Sequence, residues 1–284
     1  MIRIAIHGGV GSTSDESQQG VDRAGSAASA VNEKGGTAQD IAIAAVVSME
    51  DDDLFNAGTG SSMRWDGSCQ MDASVMTPGR FGGVACIEWV KNPVLVAMDV
   101  METPHILLAA DGAVKFARSR GHGYHDPRTE KNMKKWIETK DRVRKGQLRE
   151  SEARNAEFWK VYAKEHGDTV GAVAFKDGVA AAALSTGGTS LMMPGRVGDT
   201  PLLGAGIYSG EHGAVVCTGV GEEIIRRVTA FRCHELVPKL GPQAACDSLV
   251  NEFPKDFSIG IICAGPHGIG VAASHPMARH TREL

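Results

Sequence analysis

Apolar and polar positions alternate from the first residues, Met1-Ile2-Arg3-Ile4-Ala5-Ile6, a period of two that predicts a strand over 3–7. A glycine turn and a helix of about 20 residues follow. Thr37-Ala38-Gln39-Asp40 reads as a capping box with Asp in the usual Glu place, opening an alanine-rich helix that runs to Met49. Further patterns predict strands at 70–76 and 83–90 and helices at 93–101 and 105–120. Beyond Thr169, two apolar runs, 170–175 and 179–184, flank Lys176-Asp177-Gly178 and predict a hairpin. A strand at 214–217, a helix at 222–236 and strands at 258–263 and 268–273 complete the chain. Strands come in pairs and so do helices. That order suits an α/β chain with two sheets face to face under helices, a four-layer α/β/β/α sandwich, better than alternating βαβ units.

One stretch breaks the pattern. Between Asp126 and Asp168, 21 of 43 residues are charged, against two from Thr169 to Gly188. This predicts a solvated helical excursion and linker, docked in places by Trp136, Phe158, Trp159 and Tyr162. A chain break would be tolerated where such a linker ends.

Composition narrows the function classes. The chain has 284 residues, a 42% hydrophobic fraction, 35 glycines and a formal charge of -4, which is ordinary for a globular protein and argues against a nucleic-acid partner. The N-terminal apolar run is too short for a signal peptide, and no run of about 18 apolar residues suggests a membrane span. Six cysteines without CxxC spacing read as buried free thiols of a cytoplasmic protein.

The candidate chemistry centres on Thr169, in Asp168-Thr169-Val170-Gly171. A threonine hydroxyl needs a base within reach, and an α-amine with an ordinary pKa of about 8 can serve if Thr169 becomes a chain terminus. Three polar clusters follow at predicted strand ends: Ser185-Thr186-Gly187-Gly188, Pro194-Gly195-Arg196-Val197-Gly198-Asp199 and Thr218-Gly219-Val220-Gly221-Glu222-Glu223. Hydroxyls and N–H groups held by a sheet can be aimed at a developing oxyanion. Arg196 and Asp199 offer the two charges that would hold an α-carboxylate and an α-ammonium. Each cluster alone also reads as ordinary core or turn structure, and Arg196 with Asp199 as a surface ion pair. A glycine-rich nucleotide-binding module is the non-enzyme alternative, but no Gly-Lys dipeptide marks a P-loop. His-Glu-x-x-His and the G-x-S-x-G elbow are absent too, and His7 beside Gly8-Gly9 reads as loop support rather than an acid or base.

Taken in order, these clusters, with His7-Gly8-Gly9, Leu54-Phe55-Asn56-Ala57-Gly58 and Met71-Asp72-Ala73-Ser74, resemble the plant-type asparaginases and isoaspartyl peptidases, a branch of the N-terminal-nucleophile hydrolases. The resemblance spans nearly the whole chain. It implies one N-terminal-nucleophile domain over 1–284, cut between Asp168 and Thr169 into an α segment, 1–168, and a β segment, 169–284. By the same resemblance, Thr169 is the nucleophile and Thr186 its neighbour; Thr218 and Gly219 form the oxyanion hole. Arg196, Val197, Gly198, Asp199 and Gly221 would bind substrate. No cofactor is required, but a structural sodium ion is implied on carbonyls of Met49, Glu50, Asp52, Phe55, Ala57 and Thr59. The implied assembly is a homodimer of cleaved α/β heterodimers. Relatives often have Asn-Lys where this chain has Leu191-Met192, and Thr where it has Val220. Free asparagine, isoaspartyl dipeptides, glycosylated asparagine and a threonine-endopeptidase specificity all stay open.

Overall fold

The computed structural model describes residues 1–11, 13–145 and 169–284. Asp168, Phe158, Trp159 and Tyr162 therefore lie outside the described residues.

Eleven described strands form two sheets. The larger has the order β11 (Met277–Glu283), β1 (Ile2–Val10), β5 (Val170–Lys176), β6 (Val179–Thr186), β2 (Met71–Thr77), β3 (Arg80–Ile87), β4 (Leu107–Ala109). The smaller has the order β10 (Gly268–Ala273), β9 (Ile259–Gly265), β8 (Gly213–Gly219), β7 (Ile207–Gly210). β5 sits between β1 and β6, so strands from both sides of residues 146–168 interleave in one sheet.

Alternation along the strands sorts side chains into separate cores. Ile4, Ile6, Ala172, Ala174, Ala181 and Ala183 join Val21 of α1 (Asp15–Glu33), Val46 of α2 (Ala38–Glu50) and Ala97 of α3 (Pro93–Met101). The opposite set, including Ala5, Val173, Ala182 and Leu184, meets Ala214, Val216 and Ile262 of the smaller sheet. On that sheet's other face, Val215, Cys217 and Ile261 pack with helical Val237 and Leu249. Burial on both faces explains why β5 and β6 read as continuous apolar runs. Their alanines let neighbouring layers approach closely.

Local signals act as expected at several joints. Ser14 and Thr37 cap α1 and α2, and Thr37 and Asp40 form the reciprocal box. Asp177 and Gly178 have φ of 52° and 80°, the pair of positive values a tight hairpin turn demands.

Four expectations need correction. The helix expected over 105–120 is preceded by β4, parallel to β3, because Gly83 N–H bonds Ile106 O and draws the segment onto the sheet edge; α4 then runs Ala110–Ser119. The strand expected at 83–90 runs earlier, Arg80–Ile87, and the backbone turns at Cys86 and Trp89, both at positive φ. The helix expected over 222–236 is two, α6 (Gly221–Arg227) and α7 (Thr229–Leu240), broken at Val228 with φ 49° and ψ 50°. Ala230 and Phe231 N–H groups bond Ala205 and Gly204 carbonyls instead of helical ones, a tertiary contact no helical pattern reveals. Strands β7 and β11 were not anticipated: β7 is short, and β11 carries Arg279, Arg282 and Glu283 at the sheet edge.

The charged stretch supplies α5 (Glu130–Arg144), capped by Thr129. Trp136 docks it, as expected, by donating Nε1–H to Arg64 O at 2.8 Å. Helix α8 (Pro242–Val250) closes the smaller sheet's outer face with α7. All six cysteines are free and buried, and Cys246 Sγ lies 3.8 Å from Cys233 Sγ and 3.6 Å from Cys263 Sγ. Among the described residues, no helix is long and apolar enough to cross a membrane.

Candidate active site

Thr169 stands immediately before β5 and is 5% exposed. Val170 pairs with Ser185, so continuing the antiparallel register by one residue sets Thr169 beside Thr186, the last residue of β6. Both strands are central in the sheet, which holds this end rigidly. Thr186 Oγ1 accepts Gly188 N–H at 3.0 Å. Gly187 N–H bonds Asn56 O, while Asn56 Oδ1 accepts Ser62 N–H at 2.7 Å and its amide donates to Gly188 O. A Cβ on Gly187 would stand 2.6 Å from Asn56 Oδ1, so only glycine fits there.

His7 lies beneath this end, paired with Gly171 two residues after Thr169. Its Nε2 is 2.4 Å from where a Gly171 Cβ would stand. Burial pushes its pKa down to about 3, partly offset by the Thr169 backbone, so the ring is neutral. Nδ1 accepts Gly9 N–H at 3.3 Å, placing the ring proton on Nε2. No turn follows His7, contrary to the sequence reading: β1 continues to Val10, and this hydrogen bond spans the register irregularity between His7 and Val10.

Asp72 connects Thr186 to the Arg196 loop. It is Thr186's partner across β2 and β6, and its carboxylate accepts Cys86 N–H at 2.8 Å and Gly198 N–H at 3.3 Å. Burial raises its pKa; those hydrogen bonds and the nearby Arg64 and Arg196 charges oppose the rise. Beyond Gly198, Asp199 is buried and its pKa is pushed up to about 7 by desolvation, against the pull of Arg196. Asp199 Oδ2 has no hydrogen-bond partner among the described residues. Val197 is half-buried.

Arg196 takes a partner that the sequence reading did not assign to it. Its Nε and Nη2 donate to Glu222 Oε1 and Oε2, both at 3.0 Å, a two-point ion pair. Asp199 remains close on the other side: a Cβ on Gly221 would stand 2.8 Å from Arg196 Nη2 and 2.9 Å from Asp199 Oδ1. Gly221 thus floors a space shared by a guanidinium and a carboxylate. Two residues earlier, Gly219 has φ 138°, and a Cβ there would lie 2.1 Å from Ser258 O. Thr218 is fully buried at the end of β8, with no hydrogen-bond partner for Oγ1 among the described residues.

Register and hydrogen bonds thereby join Thr169, Thr186, Gly198, Arg196, Asp199 and Gly221, with Thr218 and Gly219 on the adjoining turn. Asn56, Asp72 and Glu222 are structural members to which the sequence reading gave no role, while His7 was read as loop support. Asn56 and Asp72 lay in quoted motifs, and only three-dimensional pairing reveals what they hold.

The carbonyl loop lies behind Asn56. Glu50 O accepts Thr59 N–H at 2.8 Å, and Met49 O and Asp52 O accept the N–H groups of Asp52 and Phe55. Gly58 and Gly60 have positive φ; their missing Cβ atoms would stand 2.5 Å from Glu50 O and 3.2 Å from Phe55 O. Met49 O also accepts Asp51 N–H, whereas Glu50 O and Asp52 O keep a second lone pair, the donor chemistry a hard cation uses. Among the described residues, no group of His, Cys, Asp and Glu side chains could hold a metal ion. The Glu50 side chain reaches inward, accepting Ser185 Oγ–H at 2.6 Å and Val94 N–H at 3.0 Å, and burial raises its pKa to about 8.

The family model described as asparaginase matches residues 1–282. The plant-type L-asparaginase of Pyrococcus abyssi is 40% identical over 94% of this chain and 91% of its own length. The isoaspartyl peptidase of Escherichia coli is 38% identical, covering 88% and 81%. An N(4)-(β-N-acetylglucosaminyl)-L-asparaginase of Elizabethkingia miricola is 35% identical, covering 83% and 70%. The chain belongs to the asparaginase family and is an amidohydrolase.

Proposed function

We propose that this protein is a self-cleaving threonine hydrolase acting on β-aspartyl amides: L-asparagine, isoaspartyl dipeptides, or both. The observation that carries the reading is the connected cluster in which Thr169 heads β5 beside Thr186, with Thr218 Oγ1 and Asp199 Oδ2 unpartnered among the described residues. Cleavage of the Asp168–Thr169 bond frees the Thr169 α-amine, which takes the proton of Oγ1 as Oγ1 attacks the β-carbonyl carbon. Thr218 Oγ1–H and Gly219 N–H donate to the oxyanion. The amine then passes its proton to the departing nitrogen, leaving a β-aspartyl ester on Thr169. Water, deprotonated by the same amine, attacks that ester; aspartate leaves and Oγ1 regains its proton. Arg196 binds the substrate's α-carboxylate, and Asp199 Oδ2 accepts from its α-ammonium.

The successive cores support the four-layer α/β/β/α arrangement of N-terminal-nucleophile hydrolases; on the same reading the chain is one domain, 1–284, cut into α and β segments. A sodium ion on the 49–59 carbonyls would brace the loop holding Asn56, outside the chemistry. Two cleaved copies would pair as a homodimer. Similarity to a glucosaminyl-asparaginase keeps glycosylated asparagine among the substrates to test.

The test begins on a denaturing gel. The 30.0 kDa chain should convert, without added protease, to fragments of about 18 and 12 kDa by length, the smaller beginning Thr-Val-Gly. A substrate panel on the cleaved protein then ranks asparagine, isoaspartyl dipeptides and glycosylasparagine. Full activity in a chain that stays intact would refute the mechanism.

A further inference from the structure

We infer that Glu222 is a positioning residue for the substrate's α-carboxylate, acting through Arg196; this rests on the reading of Arg196 as that carboxylate's partner. Two hydrogen bonds at 3.0 Å to Nε and Nη2 set the guanidinium plane as well as its place. They occupy one edge of the fork. Nη1 and the second hydrogen of Nη2 remain for a ligand. Gly198 and Gly221 border that free end, since Cβ atoms there would stand 2.7 Å from Nη1 and 2.8 Å from Nη2.

The charges point the same way. Arg196 and Asp199 already match the two charges of a zwitterionic aspartyl group, so Glu222 adds a negative charge that the ligand does not require. What it supplies is orientation. The Arg196 side chain is 16% exposed and that of Glu222 46%, so the arginine is held from the solvent side by a residue shortly past the Thr218-Gly219 turn. One ion pair thereby ties the carboxylate grip to the segment that follows the Thr218-Gly219 turn.

Glu222→Gln and Glu222→Ala in the full chain test this by steady-state kinetics on a β-aspartyl substrate turned over by the wild type. Losing the fixed plane should raise KM about tenfold or more for Ala, and less for Gln, with kcat within about twofold, the pattern of lost binding common to ground and transition states. Self-cleavage on a gel should proceed as in the wild type. In an Arg196→Lys background, where the fork is gone, Glu222→Ala should change KM by no more than about twofold. A fall in KM would overturn the inference by making Glu222 a competitor for Arg196. An undiminished effect in the Lys background would overturn it by showing that Glu222 acts elsewhere. A wild type inert on every β-aspartyl compound would remove the assigned role of Arg196, and this inference with it, while a selective loss in the variants leaves that role standing.

Discussion

Thr169 and Thr186 are 5% and 4% exposed, and Asp199 is 4% exposed, yet burial acts differently on the two groups. At the ends of β5 and β6 the side chains are hydroxyls beside glycines. A hydroxyl carries no charge at neutral pH, so burying it puts at stake only its hydrogen bonds. Around Arg196 the side chains are carboxylates and guanidinium groups, and burial raises the pKa of both Asp72 and Asp199. The hydroxyl end is held by the sheet ladder and the charged end by electrostatic balance. Perturbing the first should stop chemistry; perturbing the second should shift affinity, selectivity and pH dependence.

The largest effect is expected at Thr169. Thr169→Ala should be a folded, uncut chain with activity reduced by about 10⁴-fold or more, the scale of losing a nucleophile, whereas Thr169→Ser retains part of both cleavage and turnover. Turnover near the wild-type rate in the Ala variant would remove the distinction between the two ends.

Arg196→Ala comes next. Removing one partner of a buried charge pair costs about 2 to 5 kcal/mol, so kcat/KM should fall by roughly 30-fold to several thousand-fold. Arg196→Lys should fall between, and substrates blocked at the α-carboxylate or α-amine should be rejected. Equal turnover of blocked and free compounds would erase the charged end's role and favour a threonine endopeptidase.

The last effect is one of stability rather than turnover. Asp199 titrates at about 7 in the folded chain and ordinarily at 3.8, so between those values the folded state holds the extra proton. Its contribution to stability is therefore greatest below pH 3.8 and declines as pH rises to about 7, by about 4 kcal/mol over the window. Asp199→Asn removes the ionisation. Thermal melts at pH 4 and pH 8 should show the variant gaining on wild type at pH 8, although it loses substrate affinity. A constant difference between the two pH values would mean that Asp199 titrates normally.

Much of the fold was legible because its signals are local. Thr37 and Asp40 cap α2 as read, and Asp177-Gly178 turns the hairpin whose strands flank the site. The failures share a cause. β4 forms because Gly83 reaches Ile106, and the α6–α7 break exists because Ala205 and Gly204 capture two N–H groups of the next helix. Those partners are distant in sequence or lie across a turn, beyond the reach of periodicity.

Thr169, Thr186, Thr218 and Arg196 were singled out because their clusters, together and in order, resemble one family; alone, each cluster reads as ordinary core or turn structure. Apolar runs marked β5 and β6, and both faces of those strands are buried. Only tertiary structure decided that Asp72 joins Thr186 to Gly198, that Arg196 is held by Glu222, and that one Asp199 oxygen has no hydrogen-bond partner among the described residues. A residue's type declares what it can donate or accept. Which partner it meets, and how far burial shifts its charge, depends on strands and loops that the fold alone brings together.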